Sequence, residues 1–136
     1  MNKICTTIEQ SKKLIELGMD VKTADMDYVP CVNDMNEYDY VVNIWNNEHE
    51  ENWIPCWSLT ALLGLMPKVI SIMVSEDAAY RYELEWQFAN DNSIRYVGSD
   101  RKCLIDIYSD HDDDKWKDLI DTAFQMVVWL KENNKI

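Results

Sequence analysis

The chain has 136 residues, 47% of them apolar, with six Trp and seven Tyr, a composition that belongs to a globular chain and not to a disordered one. Lys and Arg number 13 against 25 Asp and Glu, a net charge of −12, which argues against direct binding to nucleic acid, a process driven by cations on phosphates. Three Gly and three Pro leave little room for glycine-rich phosphate loops or long linkers, and the length suits one domain, 1–136, with no need of a disulfide or metal staple.

In chain order, the first predicted element is a helix near Thr7 to Leu17. Thr6 is placed to cap it with Glu9 three residues on, and Gly18 to end it in a left-handed turn. Tyr28 to Val32 and Tyr38 to Trp45 can each hold a short strand, separated by the turn-forming Asn33, Asp34 and Asn36; the rest of 33–52 has no clear pattern. A short helix follows near Leu59 to Leu65, capped by Ser58, stapled by Trp57 against Leu62 and stopped by Pro67. Val69 to Val74 is β-branched and apolar. From Tyr80 to Phe88, Tyr82, Leu84 and Trp86 alternate with Arg81, Glu83, Glu85 and Gln87, the period-two pattern of a strand with one buried face. Ile94 to Val97 returns after a turn, and Cys103 to Tyr108 can add another strand. A last helix, from about Asp114 to Glu132, carries an apolar stripe of Trp116, Leu119, Ile120, Ala123, Val127 and Leu130. The expected fold is α+β: an antiparallel meander of three to four strands packed against a C-terminal helix, with an N-terminal helix and a short central one.

Features that resemble chemistry have simpler readings. Asp110, Asp112 and Asp114 fall at positions one, three and five of an EF-hand loop, and Asp121 at position twelve. Lys115, however, stands where that loop turns on glycine, and no bidentate Glu follows. Asp112 to Asp114 then read as charge at a helix N-terminus, where it is favoured. His49 lacks the second His of a metal helix motif. Cys5, Cys31, Cys56 and Cys103 form no CxxC and are expected to be small buried hydrophobes. No catalytic residue, metal ligand or cofactor is assigned. The segment Trp53-Ile54-Pro55-Cys56-Trp57 is the most unusual, and Trp53 and Trp57 are the candidate partner-binding residues. The alternative is that they seat the central helix, the simpler reading for Trp57; Trp53 follows a polar loop.

The order of Ser11-Lys12-Lys13-Leu14-Ile15-Glu16-Leu17-Gly18, Thr23-Ala24-Asp25-Met26, Ile54-Pro55-Cys56-Trp57-Ser58-Leu59-Thr60-Ala61-Leu62-Leu63 and a Trp129-Leu130 helix resembles a family of uncharacterised short proteins from gut Bacteroidetes and their phages or mobile elements. That pattern usually has Ala where Cys56 stands. The resemblance spans most of the chain and carries no activity with it; it implies a cytoplasmic protein acting on host or phage components. The N-terminal MNKICTTIEQ has no apolar stretch of a secretory signal, and no apolar run nears the roughly 20 residues of a membrane span. Three functions compete: a small intracellular module that binds an unknown protein partner, an acidic mimic of DNA that inhibits a nucleic-acid-binding protein, and an enzyme with an unfamiliar site. Oligomeric state is not readable from the residues.

Overall fold

In the computed structural model residues 3–44, 50–87, 92–109 and 118–136 are described. Along them run α1 (Ile8–Glu16), a 3-10 turn (Val21–Thr23), β1 (Met26–Val32), β2 (Tyr38–Ile44), β3 (Ile54–Cys56), α2 (Leu59–Gly64), β4 (Val69–Ser75), β5 (Ala78–Gln87), β6 (Asn92–Gly98), β7 (Cys103–Ser109) and α3 (Leu119–Glu132). The fold is α+β, as expected, with N-terminal, central and C-terminal helices and an antiparallel meander of β4-β5-β6-β7. A second, three-stranded sheet of order β2-β1-β3 was only half legible. Its first two strands were expected, but β3 is three residues long, too short to carry a period.

The helix ends follow local chemistry, with one shift. Thr7, not Thr6, caps α1: its Oγ1 accepts from the Gln10 amide at 3.1 Å, while Gln10 Oε1 accepts from the Thr7 amide at 2.9 Å. Thr6 is diverted because its fully buried hydroxyl accepts from the Trp57 amide at 3.1 Å and bonds Ser11 Oγ at 2.8 Å. Gly18, at φ +89°, closes the helix as expected. Its amide reaches Ile15 O and the Met19 amide reaches Leu14 O, each at 3.0 Å, satisfying two carbonyls that the last turn would leave bare. Ser58 caps α2 with Oγ accepting from the Ala61 amide at 3.2 Å.

The helix α3 begins at Leu119, with extended Asp118 accepting from the Asp121 amide. That start is five residues later than expected. The acidic run Asp110 to Asp114 and Trp116 lie outside the described residues, as do Trp45, His49 and Phe88.

The core forms where α3 crosses β6 and β7 and meets α2. Ile120, Ala123, Met126, Val127 and Leu130 from the helix bury against Ile94 and Tyr96 of β6, with Leu14, Trp57 and Leu62 in the same cluster. The Tyr96 hydroxyl donates to Pro67 O at 2.7 Å, so even this buried phenol is satisfied.

The register sets Trp86 opposite Ile94, Leu84 opposite Tyr96 and Tyr82 opposite Gly98, so the β5 aromatics do share the helix-facing side. Only its middle is covered, however. Tyr82 and Leu84 are half-buried, whereas Tyr80 and Trp86 are exposed. The expected single buried face is therefore too long for its cover: a helix about 10 Å across cannot roof every strand of the sheet. On the opposite face Glu85 accepts from Arg95 Nε at 3.0 Å and lies 3.4 Å from an Arg101 guanidinium nitrogen.

Candidate functional site

Among the described residues, the β1–β2 hairpin carries seven exposed large apolar side chains, Val32, Met35, Tyr38, Tyr40, Val41, Val42 and Ile44. The hairpin turns on Asn33, whose Oδ1 accepts from the Met35 amide at 2.9 Å and the Glu37 amide at 3.0 Å, and Asn36 takes the left-handed φ of 57°. The Asn33 amide donates to Glu37 O at 2.9 Å and sets the phase of the ladder. Pairs then alternate between bonded and non-bonded along the register. Asp39, Val41 and Asn43 exchange bonds with β1; Tyr38, Tyr40, Val42 and Ile44 turn their amides and carbonyls away from it. The same phase explains Pro30 within β1, because it faces Tyr40 at a non-bonded pair and no ladder bond to β2 needs its missing N–H.

All seven residues of β2 are exposed. Tyr38 is 90%, Ile44 71%, Val41 52%, Tyr40 42% and Val42 37% exposed, joined by Val32 at 57% and Met35 at 77% near the turn. Opposite residues of an antiparallel pair share a face, so Tyr38, Tyr40, Val42, Ile44 and Val32 form one apolar side of the ribbon. On it the Tyr28 and Tyr40 rings meet edge to face at 6.3 Å. Because β2 is the outer strand of its sheet, this side adjoins an edge that no other described strand pairs. Long apolar edges invite pairing with another chain and are normally blunted by lysine, proline or a bulge; β2, Tyr-Asp-Tyr-Val-Val-Asn-Ile, has none of these.

A second cluster lies at the base of the same sheet. Cys5 donates to the Tyr28 hydroxyl at 3.5 Å, and that hydroxyl donates to Thr6 O at 2.8 Å. Cys56, opposite Met26 in the β1–β3 register, bonds Cys5. The bond from Cys56 outweighs burial and lowers the Cys5 thiol to about 7, with a further lowering contribution from Tyr28. The Cys56 thiol rises in turn, first because it bonds Cys5 and then through burial and the neighbouring Asp27 and Asp25 charges. Burial, followed by the Cys5 bond, raises Tyr28. Both sulfurs are covered: Cys5 and Cys56 are 3% and 0% exposed. Cys31 is half-buried and Cys103 exposed, so the expectation of four buried thiols holds for two.

Trp57 is fully buried, and its indole donates to Thr23 Oγ1 at 2.9 Å. Its side chain lies in the same buried cluster as Leu62 of α2. Trp53 is half-buried just before β3. Asp121, the supposed twelfth calcium position, is engaged otherwise. Burial alone would raise its carboxyl, but the Lys3 ammonium, the Gln10 amide at 2.7 Å and the Asp118 backbone hold it below the usual value. Among the described residues no three His, Cys, Asp or Glu stand together as a metal site, and no helix is long and apolar enough to cross a membrane. An open groove of about 650 Å³ beside β5 and β6 holds Arg81, Glu83, Glu85 and Arg101, whose charges are already paired with one another or with Arg95.

Compared with protein-family models, with curated proteins and with solved structures, the chain finds no match.

Proposed function

We propose that this protein is a protein-interaction module that offers the β1–β2 ribbon to a protein partner. The observation that carries the reading is a strand exposed along its whole length yet built mainly from Tyr, Val and Ile, at an edge that no other described strand pairs and that strand addition would suit. Contiguous apolar surface of this kind on a chain of net charge −12 marks a contact site better than it serves solubility. Trp53 is the lesser candidate. An intracellular setting and a phage or mobile-element origin belong to the proposal through the sequence resemblance.

The test is affinity capture with chemical cross-linking and identification of the captured chains by mass spectrometry, using wild type, Val42→Pro and Trp53→Ala. Capture should be lost in Val42→Pro, whose substituted amide faces the open edge, and largely kept in Trp53→Ala. The same captured set with wild type and Val42→Pro would remove the ribbon from consideration. The DNA-mimic reading draws no support from the outer face of the meander, where Glu83 and Glu85 are matched by Arg81, Arg95 and Arg101.

A further inference from the structure

We infer that the occupant of the β2 edge is the same strand of a second copy of this chain, paired antiparallel about a two-fold axis at Val41. This rests on the ribbon reading above and names its partner. The phase of the β1–β2 ladder points Tyr38, Tyr40, Val42 and Ile44 outward. Two such edges can exchange bonds only when these residues lie opposite one another. Centring on Val41 does so: Tyr40 falls opposite the partner's Val42, and Tyr38 opposite the partner's Ile44.

The side chains agree with the backbone in this register. Every residue on the apolar side meets an apolar or aromatic residue, and the exposed sides of the two ribbons merge into one surface. On the other side Val41 meets itself, and Asp39, the one charged residue of β2, meets the partner's Asn43. Shifting the register by two residues in one direction sets Tyr40 against itself and pairs Asp39 with the partner's Val41. Shifting it the other way leaves Asp39 without a partner on β2. Only the Val41-centred register gives the Asp39 carboxylate an amide donor opposite and keeps all seven residues paired. A two-fold, self-complementary contact of this kind closes after two copies and does not propagate. In the free chain the Asp39 carboxylate accepts from the Tyr40 amide at 2.8 Å, and pairing exchanges that local bond for one across the interface.

Sedimentation equilibrium and light scattering over a concentration series test this. The wild-type chain, 16.1 kDa, should reach twice its mass. Val42→Pro removes one bond at each of two symmetric positions and should weaken dimerisation by about thirtyfold. Val41→Lys sets two ammonium groups face to face at the axis and should also give monomers. Both variants should keep the wild-type far-ultraviolet circular dichroism, since neither residue is buried. Each copy carries −12, so raising salt should tighten the dimer by screening repulsion, whereas it would loosen a complex with a basic partner. For the register, Val41→Cys in a Cys31→Ser, Cys103→Ser background should form an intermolecular disulfide with oxidised glutathione, and Val42→Cys should not. A wild-type monomer throughout the series overturns the second copy as occupant while leaving the ribbon to its own capture test. A dimer unaffected by both Val42→Pro and Val41→Lys overturns it too.

Discussion

At the scale of single residues, neighbours of one chemical type do different work. Thr7 is a half-buried cap, and Thr7→Ala should cost about 1 kcal/mol in urea unfolding. Thr6, one residue earlier, is an interior acceptor for the Trp57 amide. Thr6→Val should cost about 2 kcal/mol, because a buried amide is left without its partner. The capping-box spacing in the sequence pointed to Thr6 with Glu9; the shift to Thr7 lies with Trp57, 51 residues away. Asp121 gives the pH dependence. Its carboxyl is held below the ordinary 3.8 by Lys3, Gln10 and Asp118 against the opposing effect of burial. The stability this supplies is full above 3.8 and is lost as pH falls through the lower folded-state value. Wild type should therefore exceed Asp121→Asn in urea midpoint near neutrality, and the gap should close in that acid window.

At the scale of elements, the hairpin separates local from external roles within one strand. Val41 exchanges bonds with Val29 and Val42 does not, by the phase that the Asn33–Glu37 bond sets. Val41→Pro should lower stability by about 2 kcal/mol through a lost ladder bond and a ring clash. Val42→Pro should change it by less than about half that, since its amide is not in the ladder. Thermal unfolding of the pair of variants checks the phase directly. The helices were legible because capping chemistry and the apolar stripe are local, as with Ser58 and Leu119 to Leu130. The strand β3 was not, because it exists only by pairing with β1.

At the scale of the whole molecule, burial follows the placement of α3. Leu130, fully buried among β6, α2 and α1 residues, should cost about 2–5 kcal/mol when cut to Ala. Trp86, nearly half exposed, should cost about 1–2 kcal/mol despite its size, because nearly half of its surface never leaves water. Chemical denaturation of both variants ranks the two sites. That order inverts the impression of the sequence, in which the Tyr80 to Phe88 alternation is the stronger signal and Ile94 to Val97 the weaker.

Periodicity, caps and turn residues act within a few positions along the chain, and so the three helices, the meander and the α+β class follow from local sequence. Tertiary structure decided which apolar residues are covered. It buried Trp57 and exposed Tyr38, although both are large aromatics beside polar segments, because burial depends on what packs from afar: Trp57 joins the cluster that also holds Leu14, Leu62 and Leu130, and no described element closes over β2. The candidate site was hidden for the same reason. An apolar strand reads alike whether it belongs to a core or to a partner, and only its place at the edge of a three-stranded sheet tells the two apart.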